Sequence, residues 1–145
     1  MWAPTEPVPH NFVASAARGW RNRHGRYRLA GTRCEPCDLA FFPPRLVCPQ
    51  CQSRKLSDCE FARSGTVVCH AEDHTPLVGH GGRSVRPFAI VALDGGPSVL
   101  TEIVDTDHAA VVPGMAVEAV LRKWRRETNG LYQYGYKFRP ARSMS

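Results

Sequence analysis

Four cysteines, arranged as two Cys-x-x-Cys pairs, are the residues of this sequence best suited to chemistry. Cys34 and Cys37 form the first pair, and Cys48 and Cys51 form the second pair after a spacer of ten residues. Two close pairs of thiolates can supply the four ligands of a tetrahedral zinc ion from two facing turns. A proline inside each pair favours a compact turn. The spacing therefore predicts one zinc ion per chain, bound by these four cysteines.

The role of this metal follows from the number of protein ligands. A catalytic zinc ion keeps one coordination position for water, whereas four cysteines close the coordination sphere, so the predicted zinc is structural. Rubredoxin-type iron uses the same ligands and stays open as an alternative. A redox Cys-x-x-Cys motif and a pair of disulfides are less consistent with the sequence. The first is usually a single motif after a strand of a thioredoxin-like unit, and the second is typical of secreted proteins.

The remaining candidates for catalysis do not form a convincing active site. The sequence has no Gly-x-Ser-x-Gly elbow and no His-Glu-x-x-His motif, and residues 79–82 lack the lysine and the spacing of a phosphate-binding loop. Cys69 falls in an apolar stretch and is expected to be a buried, inert thiol. Asp105 and Asp107 are expected to cap a short helix. We therefore predict no catalytic residue in this chain.

The composition is typical of a small folded protein. The chain has 145 residues, of which 43% are hydrophobic, and no apolar run approaches the roughly 18–20 residues that span a bilayer. Residues 1–9 contain three prolines and no hydrophobic run, so we expect an unstructured leader and not a signal peptide. A cytoplasmic location, where thiols stay reduced, is the expected compartment, and no membrane contact is expected.

The charge is positive and clustered. The net charge is +6, and the stretch 18–33 contains six arginines and no carboxylate. A second basic group lies in the stretch 122–126. Such clusters can face solvent, dock on an acidic partner or bind phosphate groups.

A short amphipathic helix is predicted near the N-terminus. Asn11 can cap a helix over residues 12–20, in which Phe12 and Trp20 share one face. A helix of this length is marginal alone and needs a surface to pack on, either in this chain or on another subunit. Because tryptophan and arginine are frequent interface anchors, the predicted partner-binding residues are Phe12, Trp20, Arg21 and Tyr27.

The rest of the chain has the pattern of β-strands. Residues 27–33 are predicted to form a strand leading into the first cysteine pair. Five further strands are predicted over residues 66–71, 87–93, 98–104, 116–126 and 131–138. A helix or loop between the third and fourth of these suits a small, partly open barrel of the OB type. If Asn129-Gly130 is a two-residue turn, Arg125 lies opposite Tyr134 and Lys123 lies opposite Tyr136.

The predicted fold is mainly β and has three parts with a short tail. The expected division is a leader with a docking helix over residues 1–29, a zinc ribbon over 30–60, a five-stranded OB-fold domain over 61–140 and a tail over 141–145.

Several motifs in this order resemble a bacterial and archaeal family that joins a rubredoxin-like zinc ribbon to an OB fold. The matching stretches are Trp20-Arg21, Tyr27-Arg28-Leu29, the two cysteine pairs, Phe42-Pro43-Pro44-Arg45, Ser64-Gly65-Thr66-Val67, Pro87-Phe88, Ile103-Val104-Asp105, Gly114-Met115 and Lys137-Phe138-Arg139-Pro140. The sequence departs from the family where Asp38 and Gln52 replace the glycine that often follows each cysteine pair.

The resemblance implies a non-catalytic accessory subunit of a thiolase-type acyltransferase complex, which makes or breaks carbon–carbon bonds. It implies that the nucleophilic cysteine lies in a thiolase-like or ketosynthase-like partner, and that CoA can contact this subunit at the shared interface. The stretch 125–138 looks most similar to the small subunit of phloroglucinol acetyltransferase. The alternative function is single-stranded nucleic-acid binding, which zinc ribbons and OB folds also serve, and a small electron carrier is a third possibility.

Overall fold

The computed structural model describes residues 16–75, 85–126, 130 and 132–142. The described chain consists of a pair of short helices, a three-stranded sheet and a five-stranded barrel. No helix among these residues is long and apolar enough to cross a membrane. The mainly β fold predicted from the sequence, with a ribbon followed by a five-stranded barrel, is confirmed.

Two helices precede the first strand. Helix α1 spans Ala16–Arg21, and helix α2 spans Arg23–Arg28. Chain direction changes at Leu29, which has a left-handed backbone (φ 52°) and is 2% exposed. The prediction that the strand begins at Tyr27 is therefore wrong, because Tyr27 lies in α2. Helices this short depend on packing, and α2 packs on the last strand of the barrel and on the first strand of the ribbon.

The ribbon is a small antiparallel sheet. Strand β1 (Ala30–Cys34) lies between β2 (Ala40–Phe41) and β3 (Leu56–Glu60). The chain that leaves β2 returns to β1 at Arg45, whose backbone N–H donates to the buried hydroxyl of Thr32 at 3.0 Å. The ribbon therefore closes around β1, which also carries the first cysteine.

The barrel has five strands in the order β6-β5-β4-β7-β8. Its elements are β4 (Ser64–Asp73), β5 (Arg86–Leu93), β6 (Ser98–Glu102), a 3₁₀-helix (His108–Ala110), β7 (Ala116–Arg126) and β8 (Tyr132–Pro140). A parallel bridge between Ile103 and Phe138 brings the two outer strands together and nearly closes the sheet on itself. The 3₁₀-helix lies between the third and fourth barrel strands, where the sequence predicted a helix or loop.

Alternating side chains on the barrel strands form one apolar core. Along β5, Ala89, Val91 and Leu93 are buried, and the residues between them face the other way. Phe138 is 0% exposed and contributes the largest fully buried side chain. Leu29 and Phe61, which lie at the two ends of the ribbon, belong to the same core cluster. The ribbon is therefore anchored in the hydrophobic interior of the barrel.

The predicted register of the last hairpin is wrong. Lys123 pairs with Tyr134, and Arg125 pairs with Gln133. A β-bulge lies between Lys123 and Arg125, and five residues, not two, separate Arg126 from its partner Tyr132. Each of these irregularities shifts the pairing. A cation still lies over an aromatic ring, because the Lys123 ammonium is 4.3 Å from the centre of the Tyr132 ring.

The joint between ribbon and barrel contains a tightly packed glycine. A Cβ atom at Gly31 would lie 2.2 Å from the Phe41 carbonyl oxygen and 2.6 Å from the Phe61 ring. We predict that Gly31→Ala lowers the free energy of unfolding by about 1–3 kcal/mol, because backbone and ring must move apart. Chemical denaturation measures this change.

Gly135→Ala is the matched control, since it also adds a methyl group to a strand glycine. No atom lies within 4 Å of the Cβ position at Gly135. Gly135→Ala should raise the free energy of unfolding, by no more than about 1 kcal/mol. Equal destabilisation by the two substitutions would contradict the tight joint.

A hydrogen-bonded ion pair connects the end of β4 to the 3₁₀-helix. His108 Nδ1 lies 2.7 Å from Glu72 Oε1, and His74 Nε2 lies 3.3 Å from Glu72 Oε2. The hydrogen bond from His108 lowers the pKa of Glu72, and the same bond raises the pKa of His108 above its ordinary value of 6.5. The pair therefore stabilises the fold below the ordinary histidine pKa. That stability is lost as pH rises through the raised His108 pKa, and as pH falls through the lowered Glu72 pKa.

We predict that Glu72→Gln returns the His108 pKa toward 6.5. An NMR titration of the His108 ring measures the midpoint. Asp107→Asn is the control, because Asp107 is 3.8 Å from His108 Nε2 and contributes less to the shift. A larger effect of Asp107→Asn than of Glu72→Gln would show that the hydrogen bond to Glu72 is not the cause.

Candidate metal centre

The four cysteines of the two sequence pairs converge on one point of the ribbon. Their sulfur atoms all lie within 4.8 Å of one another. Three separations are 3.5 Å for Cys34–Cys51, 3.5 Å for Cys37–Cys48 and 3.7 Å for Cys37–Cys51. Four sulfur atoms at about 2.3 Å from a tetrahedral zinc ion are about 3.8 Å apart, whereas a disulfide bond is about 2.05 Å long. The arrangement fits a metal ion and not two disulfides.

Two equivalent turns position these thiols. Asp38 N–H donates to the Cys34 carbonyl at 2.9 Å, and Gln52 N–H donates to the Cys48 carbonyl at 2.9 Å. Asp38 and Gln52 both have a φ of 57°, the left-handed region that favours glycine. The departure from the family pattern thus falls on two strained positions. At the first, Arg33 compensates, because its guanidinium donates to the Asp38 carboxylate at 3.1 Å.

The four cysteines of the cluster differ in how far they are buried. Cys34 and Cys48 are fully buried, Cys37 is half-buried and Cys51 is exposed. Burial raises the pKa of the Cys34 thiol to about 12, whereas the Cys51 backbone N–H lowers the pKa of the Cys48 thiol to about 7. A metal ion that binds here must therefore displace protons from at least part of the cluster.

The coordination chemistry of this cluster is that of a structural site. All four ligand positions are occupied by cysteines of one chain, so no position remains for water or substrate. The donor set suits zinc and equally suits rubredoxin-type iron. The four cysteines in a ribbon of this kind are consistent with a structural zinc ion.

The predicted partner-binding residues lie apart from the metal cluster, on the helix pair. Trp20 is 68% exposed in α1, its neighbour Arg21 is exposed, and Tyr27 is 49% exposed in α2. The guanidinium of Arg23 stacks 3.6 Å above the Trp20 ring. Phe12 lies outside the described residues. The structure therefore presents three of the four predicted residues to solvent on one basic, aromatic helix pair.

The expectation of a buried thiol at Cys69 is wrong. Val67 is 1% exposed, and simple strand alternation would place Cys69 on the same, inner side. A β-bulge between Val67 and Cys69 reverses the alternation, so that Cys69 is exposed. A bulge of this kind leaves no distinct signal in a run of small apolar residues.

The capping role holds for one of the two aspartates. The Asp107 carboxylate accepts a hydrogen bond from Ala109 N–H at 3.2 Å and so caps the 3₁₀-helix. Asp105 instead has a left-handed backbone (φ 59°) and accepts hydrogen bonds from the Arg122 guanidinium. This ion pair with Arg122 lowers the pKa of Asp105.

Sequence reasoning did not identify two buried cations of the barrel. Lys137 is 6% exposed and pairs with Glu102, and Arg86 is 5% exposed and pairs with Asp73. The alternation of β8 provides a signal for Lys137, since it stands between Tyr136 and Phe138 in a strand that packs on both faces. The pairing with Glu102 depends on closure of the barrel, which the sequence does not encode locally.

Known proteins share this architecture along most of the chain. A family model described as the ChsH2 rubredoxin-like zinc ribbon domain matches residues 25–57, and the model of the ChsH2 C-terminal OB-fold domain matches residues 60–122. Among solved structures, a chain of the Ltp2-ChsH2(DUF35) aldolase superposes with a TM-score of 0.64 at 25% sequence identity. That alignment covers 94% of this chain and all of the other.

Two archaeal relatives are more similar in sequence. A DUF35 domain-containing scaffold protein of Pyrococcus furiosus is 39% identical over 125 residues, which is 86% of this chain and 91% of the relative. A protein of the same description from Methanothermobacter thermautotrophicus is 36% identical over 133 residues, which is 89% of this chain and 98% of the relative. Family models match both the ribbon and the barrel, and these two relatives are 39% and 36% identical along most of their length. The chain therefore belongs to the ChsH2 (DUF35) family of scaffold proteins.

Proposed function

We propose that this protein is the non-catalytic bridging subunit of a thiolase-type acyltransferase complex that forms or cleaves carbon–carbon bonds. The observation that carries the proposal is the match to a chain of the Ltp2-ChsH2(DUF35) aldolase, which extends over 94% of this chain. A match of this extent includes the helix pair, the ribbon and the barrel together. The whole subunit, and not one shared domain, is therefore the unit that corresponds.

The thiols outside the metal cluster support a non-catalytic role. Cys59 is half-buried in β3, and burial raises the pKa of its thiol, which disfavours the nucleophilic thiolate. Cys69 is exposed on the barrel surface. A cysteine nucleophile is commonly activated by a histidine, but the side-chain contacts of His74 and His108 are with carboxylates and not with a thiol. The acyl-transfer chemistry then belongs to the thiolase-like partner.

The helix pair is the proposed docking surface for that partner. The stretch 16–34 contains arginines and a histidine but no carboxylate, so the surface is strongly basic. Trp20 and Tyr27 add exposed aromatic area between these charges. Aromatic and arginine side chains dominate the binding energy of many interfaces, and a basic surface favours an acidic partner. Phe12, Trp20, Arg21 and Tyr27 are the proposed contact residues.

We predict that Trp20→Ala weakens assembly with a co-expressed thiolase-like subunit by about tenfold or more, as expected for an interface anchor. Co-purification and native mass spectrometry measure the loss. Tyr134→Ala is the matched control, because Tyr134 is a 40% exposed aromatic residue on barrel strand β8. Full retention of the complex by the Trp20 variant would refute docking through the helix pair.

We further propose that the metal bound by Cys34, Cys37, Cys48 and Cys51 is one structural zinc ion per chain. Support comes from the closed thiolate set and from the match of residues 25–57 to a zinc ribbon. The described ribbon strands have few buried apolar side chains, so metal binding must supply most of their folding free energy. Comparable small motifs gain on the order of 10–16 kcal/mol from zinc.

We predict that Cys48→Ser reduces the zinc content from one equivalent per chain to near zero and unfolds the ribbon. Elemental analysis and amide hydrogen exchange across residues 30–60 measure the two effects. Cys69→Ser also removes one thiol but leaves the cluster intact, and it should keep the full zinc content. Iron and visible absorbance in the purified protein would instead assign a rubredoxin-type centre.

Finer features of the proposal concern the substrate and the compartment. The basic helix pair attracts phosphate groups, which supports contact of CoA with this subunit at the shared interface. We propose a transferase reaction from the resemblance of the sequence 125–138 to the phloroglucinol acetyltransferase small subunit. We propose a cytoplasmic location because the thiolates of a metal site must stay reduced.

Single-stranded nucleic-acid binding is the competing function. It predicts affinity for an oligonucleotide by this chain alone, falling steeply with salt concentration. Tight binding at physiological salt without a partner protein would favour this function over the bridging role.

A further inference from the structure

A cavity of about 780 Å³ lies between the helix pair, the ribbon and the barrel. Its volume falls within the range of roughly 300–1,000 Å³ that is typical of small-molecule sites. The metal cluster and the proposed docking residues do not account for it, since of these only Arg21 lines the cavity.

The barrel wall of the cavity comes from the strand faces that point away from the apolar core. The residues on these faces that line the wall include Arg86 and Phe88 of β5, Leu100 and Glu102 of β6, and Gly135 and Lys137 of β8. Phe88 is paired with Glu102 between β5 and β6, and the Lys137–Glu102 ion pair connects β6 to β8. The wall is therefore continuous across the closure of the barrel.

The cavity has a large apolar, aromatic surface. Phe42 of the ribbon contributes its ring, which packs edge-on against Tyr136 with the ring centres 5.7 Å apart. Leu100 and Trp124 also line the cavity, and they are 69% and 48% exposed. Large apolar side chains left this open beside a cavity are typical of a site that receives an apolar molecule.

Two buried cations face the same space. Lys137 and Arg86 each line the cavity and are each paired with one carboxylate, of Glu102 and Asp73 respectively. A lysine ammonium has three N–H donors and a guanidinium has five, so one carboxylate partner does not exhaust either cation. A ligand oxygen can therefore accept further hydrogen bonds at this wall.

Gly135 leaves space for a ligand because glycine has no side chain. It is buried in β8, lines the cavity two residues before Lys137, and has no atom within 4 Å of the position that a Cβ would occupy. Gly31 also lines the cavity, but a Cβ atom there would clash with the Phe41 carbonyl. Gly135 is thus a position where a larger side chain would enter the cavity without disturbing the backbone.

We propose that this cavity binds a small molecule with an apolar, planar body and a carboxylate. The apolar body lies against Phe42, Leu100 and Trp124. The carboxylate accepts charge-assisted hydrogen bonds from Lys137 and Arg86 at the barrel wall. On the ribbon side the cavity is lined by Asp58 and Glu60, whose charges disfavour a carboxylate there, whereas Glu102 on the barrel side is paired with Lys137.

The test is calorimetric titration of the full-length, metal-loaded chain with three matched probes. The probes are 2-naphthoate, 2-naphthamide and 2-naphthylmethylammonium, which share the ring and differ in the charge of the polar group. We expect 2-naphthoate to bind about tenfold more tightly than 2-naphthamide, and the ammonium probe not to bind. Equal or tighter binding of the amide, or no binding of any probe, would overturn the proposal.

Substitutions locate the site. Gly135→Leu fills the cavity and should weaken 2-naphthoate binding about tenfold or more. Gly19→Leu is the control, because it adds the same side chain in α1 at a residue that does not line the cavity. No atom lies within 4 Å of the position that a Cβ atom would occupy at Gly19, so the affinity for 2-naphthoate should be unchanged. Unchanged affinity in the Gly135 variant would place binding elsewhere and overturn the proposal.

A double variant, Lys137→Met with Glu102→Gln, removes both charges of this buried ion pair together. It should reduce the preference for 2-naphthoate over 2-naphthamide from about tenfold to about threefold, because Arg86 still binds the carboxylate. Retention of the full preference for the carboxylate would exclude Lys137 as its partner. These measurements use the isolated chain, so their failure would leave docking on a thiolase-like subunit untouched.

Discussion

The convergence of four cysteine sulfur atoms is the constraint on which the N-terminal half of this molecule depends. The ribbon strands have five, two and five residues, and a sheet of this size has almost no interior of its own. Its fully buried side chains are chiefly the sulfur ligands Cys34 and Cys48. Bonds between a metal ion and these thiolates would therefore take the place of a hydrophobic core. The helix pair depends on this ribbon, because α2 packs on β1 as well as on barrel strand β8.

Closure of the barrel depends on a different balance of forces. Strands β6 and β8 meet at a single parallel bridge, between Ile103 and Phe138. Beside this bridge, the buried pair of Glu102 and Lys137 joins the same two strands. Burying two charges costs much of what their attraction gains, so such a pair contributes more to fixing one alignment of strands than to stability. The same pair forms part of a cavity wall, which connects the closure of the barrel to the proposed ligand site.

Periodic and covalent constraints made much of the fold predictable from sequence. The spacing of the cysteines determines which four sulfur atoms can meet, and the turn residues and apolar alternation define five barrel strands. The errors occur where a single extra residue changes the geometry. A bulge near Cys69 turns that thiol outward, and a second bulge near Trp124 shifts the last hairpin. The sequence predicts a strand from Tyr27 onward, whereas Tyr27 lies in α2, a helix too short to form without its packing on the barrel.

Long-range pairing is the part that the sequence could not reveal. Lys137 and Glu102 are 35 residues apart, and no local pattern indicates that they pair with each other. The cavity likewise arises only when three separate segments are brought together. Local patterns carry no information about such a space until the barrel closes and the ribbon covers it.

The placement of Leu29 and Phe61 in the barrel core has a consequence for cooperativity. Both residues flank the ribbon, and both are part of the apolar cluster formed by Val67, Val91 and Phe138. Unfolding of the ribbon would therefore release two side chains from the interior of the barrel as well. Loss of the metal would then lower the stability of the barrel without the barrel containing any metal ligand.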